Sequence, residues 1–121
     1  MKLNEAKQLA RDQIKKYGLN TWRFKWSMHI YEFGTCKHRK KVIKLSKRLV
    51  LANTRERILK TIRHEISHAL LGYEHRHNNI WESFNKQLGG GKEFWSEDDI
   101  DGTQPAKKGS FWSLFILYMR F

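Results

Sequence analysis

A single capped, two-faced helix constrains this chain more than any other feature. Asn53-Thr54-Arg55-Glu56 has the form of a capping box, with a glutamate three residues after the asparagine. The apolar periodicity that follows predicts a helix running to about Leu71, with Gly72 near its end. At about 100° per residue, Ile58, Leu59, Ile62, Ile66, Ala69 and Leu70 fall on one arc. His64 and His68 fall on the opposite side, with Glu65 between. A fold for this chain must therefore put a core under one side of the helix and open a cleft over the other.

His64-Glu65-Ile66-Ser67-His68 spells H-E-x-x-H on that helix. Two imidazoles four residues apart lie one turn from each other and reach one metal ion. The glutamate beside the first histidine is placed to take a proton from a metal-bound water. On a helix, this is the signature of a zinc hydrolase, most often a metalloprotease. Catalytic zinc usually has three protein ligands and one open position, and the candidates for the third are Glu74, His75 and His77. A glutamate ligand on a second helix would lie some twenty residues on, where Glu82 is too near and Glu93 follows the glycine run. The longer H-E-x-x-H-x-x-G-x-x-H pattern fails at Leu71 and Glu74. His75 and His77 remain, both on the turn between two helices.

The other elements follow from periodicity. Apolar residues at 3, 6, 10, 14 and 17, with Leu9 beside them, predict an N-terminal helix stopped at Gly18. Trp22, Phe24, Trp26, Met28 and Ile30 alternate with polar residues and predict a strand with one buried face. That alternation makes Trp22 and Trp26 core residues rather than platforms for stacked bases. Phe33 to Cys36 and Lys41 to Ser46 predict two further strands joined by Lys37 to Lys40. Asn78 to Leu88 reads as a helix with Ile80, Trp81, Phe84 and Leu88 on one side, ended by Gly89-Gly90-Gly91. Trp81, Phe84 and Ile80 are read as core. Residues 1–95 form one domain on this reading. Residues 96–121 form an acidic linker and an apolar tail, Phe111 to Met119, expected to pack on the domain or mediate self-association.

Composition narrows the class. The single cysteine, Cys36, excludes an internal disulfide framework or a cysteine-rich zinc ribbon and fits a reducing, cytoplasmic setting. No signal peptide is expected, because charged residues interrupt Met1 to Tyr17. The longest apolar run is too short to span a bilayer. Residues 1–95 hold 21 basic and 8 acidic residues, a net of +13. This predicts a polyanionic partner, most simply nucleic acid, against the plainer alternative of charge for solubility. Lys37, Arg39, Lys40, Lys41, Lys44, Lys47 and Arg48 concentrate that charge, with no acidic residue among Lys37 to Arg48.

Arg63 to Gly72, taken with His77-Asn78-Asn79-Ile80-Trp81, resembles the SprT-like family of zinc metallopeptidases, which includes the Spartan protease of DNA–protein crosslinks. Leu3-Asn4-Glu5-Ala6, Trp22-Arg23-Phe24, Phe33-Gly34-Thr35-Cys36 and Ile43-Lys44-Leu45-Ser46 are similar to short members from phages and bacteria. The resemblance covers about residues 1–95, without the zinc ribbon of larger members. It implies an α+β, minimal zincin-like fold: an N-terminal helix, a small, mainly antiparallel three-stranded sheet, the metal-binding helix and a following helix. It also implies one catalytic Zn²⁺ on His64, His68 and His77, with Glu65 as general base. The third ligand in this family stands four residues before an aromatic, as His77 does before Trp81, although Asn78 replaces the usual glycine. His75 is then an outer neighbour or merely exposed. The implied activity is endopeptidase cleavage of DNA-associated or DNA-crosslinked proteins, in a nucleoid-associated setting or in host cytoplasm if the chain is viral. In zincins an edge strand above the metal helix pairs with extended substrate, and Lys41 to Ser46 is the expected strand. The alternative for its lysines is a solvated edge protected from aggregation.

Two other readings compete. His64 to His75 is similar to a YbeY-type endoribonuclease motif, which would make His75 the third ligand. Against it, the gap from His68 to His75 is one residue too long, and Glu65 stands where that motif has glycine. A non-catalytic nucleic-acid-binding module with structural zinc would have no use for Glu65.

Overall fold

Apolar residues at helical spacing from Leu3 onward form α1 (Leu3–Lys16), which buries Ala6, Leu9, Ala10 and Ile14. The computed structural model describes residues 1–30, 32–72 and 77–91. After α1 come β1 (Arg23–Ser27), β2 (Gly34–Lys37), β3 (Val42–Ser46), α2 (Lys47–Leu51), α3 (Arg55–Leu71) and α4 (Asn79–Leu88). The class is α+β, as expected. The core lies between the sheet and α1, α2 and α3, with Phe33, Ile43, Leu45, Leu49, Val50, Ile58, Ile62 and Ile66 fully buried. Among the described residues no helix is long and apolar enough to cross a membrane.

The sheet runs β1-β3-β2. β2 and β3 form the expected antiparallel hairpin, with Cys36 opposite Ile43. β1 runs parallel to β3, from Arg23 opposite Val42 to Ser27 opposite Ser46, so the sheet is mixed. The expectation that residues 41–46 form an edge strand is corrected: β3 is central, and among the described residues β1 and β2 are the edges. Val42, Ile43, Leu45 and Ser46 are all buried, so apolar contacts cover both faces of β3 and its neighbours satisfy both ladders. Counting lysines gave the wrong position, because Lys44 keeps only part of its surface in water.

β1 is also shorter than its alternation implied, ending at Ser27 and leaving Met28 79 % exposed. Its ladder partner runs out there. Ser46 leaves the sheet to start α2, with its Oγ accepting from Leu49 N–H and donating to the His29 carbonyl. α2, five residues long, was too short to show a period. The cap of α3 lies one residue later than the capping box placed it. Thr54 Oγ1 accepts from Arg57 N–H at 3.4 Å. Asn53 instead donates through Nδ2 to the Leu49 carbonyl at 2.8 Å, tying off α2. The α-amino group of Met1 donates to the Asn53 carbonyl at 2.7 Å, which pins the chain start to this junction. The apolar arc of α3 is buried at Ile58, Ile62 and Ile66, whereas Leu70 is 38 % exposed. The linker and tail (96–121), with Glu74, His75 and Glu93, lie outside the described residues.

Candidate metal centre

Helical geometry places His64 and His68 on one side of α3 with ring centroids 5.0 Å apart, and both are buried. α4 completes the cluster. Asn78 is its N-cap, with Oδ1 accepting the Trp81 N–H at 2.9 Å. The departure from glycine at this position therefore supplies a helix cap. His77, just before the cap, has φ 55°, a left-handed conformation that histidine tolerates better than most residues. That turn carries its ring back over α3, to 4.7 Å from the ring of His68 and 5.4 Å from that of His64.

One potential ligand atom from each of His64, His68 and His77 lies within 4.8 Å of the others. Nε2 of His68 and Nε2 of His77 stand 2.9 Å apart. Two such nitrogens face each other only if they share a proton or a cation. Nitrogens on one tetrahedral zinc at about 2.0–2.1 Å are separated by about 3.3 Å, so small ring adjustments seat an ion. Three imidazoles also form a donor set that suits zinc. These residues could hold the metal. His75, the other expected candidate, falls outside the described residues.

Trp81, only 1 % exposed, lines the cluster. Its ring stacks on His68 at 4.7 Å and 19° and meets His64 and His77 nearly edge-on at 4.7 and 4.6 Å. It is a core residue, as expected, whereas Ile80, read the same way, is 55 % exposed and Phe84 is half-buried; Trp81 is also one wall of the histidine cluster. Hydrophobic periodicity could reveal the first role but not the second.

Glu65 is buried between α3 and β2. Burial pushes its carboxyl up to about 8, and the Glu32 carboxylate pushes in the same direction. A divalent cation at the histidines would pull it back down. Burial, with Glu65 nearby, also raises the Cys36 thiol, which keeps it protonated and a poor ligand. The backbone of β2 reaches Glu65 because residue 34 is glycine. A Cβ there would lie 2.9 Å from Thr61 Cγ2 and 3.1 and 3.2 Å from Glu65 Cγ and Oε1. Gly34→Ala should therefore lower stability by about 1–3 kcal/mol, the range for overpacking, and displace Glu65. Thermal melts should show the loss, and Thr61→Ser, which removes the crowding methyl but keeps the hydroxyl, should restore part of it.

The basic hairpin is tied to the same helix. His38 Nε2 lies 2.9 Å from the His68 carbonyl and must be the donor, since a carbonyl only accepts. Lys37, Arg39, Lys40 and Lys41 around it are exposed. Sequence reasoning saw the charge but not this link, which spans thirty residues.

Among known protein families, the model of the SprT-like family matches residues 3–99, most of the chain. No curated protein and no solved structure matches it.

Proposed function

This chain belongs to the SprT-like family, and from that premise we propose that it is a zinc-dependent metalloendopeptidase acting on proteins associated with or crosslinked to DNA. The observation that carries the reading is the convergence of His64, His68 and His77 next to a buried Glu65. Zinc bound there would supply Lewis acidity, polarising a scissile carbonyl and making water acidic near neutral pH.

The remaining chemistry belongs to the chain. The Glu65 carboxylate accepts a proton from the attacking water and returns it to the leaving amine. Trp81, packed against all three histidine rings, keeps bulk water from one side of them. β2, an edge strand among the described residues whose backbone reaches Glu65 through Gly34, offers its outer ladder to an extended peptide. The substrate-pairing role assigned from sequence to residues 41–46 therefore passes to Gly34–Lys37.

Support for DNA comes from Lys37, Arg39, Lys40 and Lys41, which crowd exposed positive charge onto the hairpin that His38 fastens to α3. Phosphates held there would bring a DNA-bound protein to the cluster. The test is zinc-dependent cleavage of a DNA-binding protein, with and without single-stranded DNA, by wild type and by a variant with these four residues changed to Gln. DNA should accelerate the wild type and have little effect on the variant. For binding to single-stranded DNA, the salt slope should fall by about 0.7 for each phosphate that the variant no longer neutralises. Equal stimulation of both proteins would remove DNA contact from this hairpin. Absence of cleavage under every condition would overturn the peptidase reading.

A further inference from the structure

The Gly89-Gly90-Gly91 run ends α4, but its geometry does more than stop a helix. The Gly91 carbonyl lies 3.5 Å from Nδ1 of His64. A carbonyl only accepts, so this contact favours the tautomer with its hydrogen on Nδ1, which leaves the Nε2 lone pair for a metal. The same carbonyl accepts from Asn85 Nδ2 at 2.7 Å. Asn85 is 6 % exposed, and its Oδ1 faces the Ser67 hydroxyl at 3.1 Å, back on α3 between the two histidines of the motif. Gly91 N–H donates to the Lys60 carbonyl at 3.0 Å, and Gly90 N–H to the Asn85 carbonyl at 2.8 Å. The turn is thus held from both helices.

Gly90 is required for this arrangement, because a Cβ there would overlap the Asn85 amide. At Gly91 a Cβ would meet Lys60 Cβ only at 3.4 Å, an ordinary contact.

We propose that Asn85 and the Gly90-Gly91 turn are positioning residues for His64. They present the Gly91 carbonyl that selects the Nδ1–H tautomer and aims Nε2 at the metal. This role rests on the metal reading above. Outer partners of this kind orient metal-binding imidazoles, and their loss typically weakens binding 10–100-fold.

The test is zinc affinity, by competition with a chromophoric chelator, together with ¹⁵N NMR of the His64 ring in the metal-free protein. Asn85→Ala should weaken zinc binding about 10–100-fold and mix the two ring tautomers of His64. Ser67→Ala removes the hydroxyl that lies 3.1 Å from Asn85 Oδ1 and 2.9 Å from the Arg63 carbonyl and shares its single hydrogen between them, at a helical position where alanine is well tolerated. It should weaken binding in the same direction by a smaller factor and keeps the test open if Asn85→Ala fails to fold. Gly90→Ala should behave like Asn85→Ala, because its Cβ would displace the Asn85 amide. Unchanged zinc affinity and an unchanged tautomer in folded Asn85→Ala or Ser67→Ala would overturn the role alone. A wild type that binds no zinc would overturn the metal reading, and this role with it.

Discussion

Glu65→Gln should slow peptide cleavage by about 10²–10⁴-fold, the usual worth of a positioned general base, without releasing zinc. Gln has the volume of Glu and retains an acceptor oxygen, but its amide takes up no proton at neutral pH. The position is buried and already holds the carboxyl up to about 8, so a neutral isostere places no new burden on folding. Zinc content of about one ion per chain and an undiminished Tm should accompany the reduced rate. Cleavage at the wild-type rate would remove Glu65 from the chemistry. Loss of zinc would instead make it a ligand. Loss of neither, in a chain that binds DNA but cleaves nothing, would support the non-catalytic alternative.

The parts of this site that were legible in the sequence are those set by local periodicity. His64 and His68 share a face because they are four residues apart on a helix that Ile58, Ile62 and Ile66 anchor in the core. α1, the strands and α4 were visible for the same reason. What pairs across the chain was hidden. That β3 is central depends on β1 returning parallel to it, and no pattern within residues 41–46 records that contact. The choice between Asn53 and Thr54 as cap turned on Asn53 being taken up by the end of α2, a helix too short to announce itself. The hydrogen bond from His64 to Gly91 joins residues 27 positions apart. Its only signal in the sequence was an unusually long glycine run, where a helix stop needs one glycine.

The third ligand poses the same problem, since residues after α3 follow no period, and it yields the other large effect. His77→Ala should weaken zinc binding by more than the 10–100-fold typical of losing an outer partner, because it removes a donor nitrogen itself. The cluster joins α3 to α4 through His77, so zinc should also stabilise the wild type. At a zinc concentration about 1,000 times Kd the gain is about 4 kcal/mol. At about 4–8 °C per kcal/mol for a domain of this size, a large zinc-dependent rise in Tm should appear in wild type and be largely abolished in His77→Ala. The backbone at residue 77 is left-handed, with φ 55°, so alanine adds strain unrelated to the metal. His77→Asn separates the two effects, because asparagine accepts this conformation: its metal-free Tm should match wild type, while its zinc-dependent rise should still collapse. His75→Ala should retain both zinc and the rise. The reverse pattern, with His75→Ala losing zinc and His77→Asn keeping it, would move the third ligand to His75 and shift weight to the ribonuclease reading.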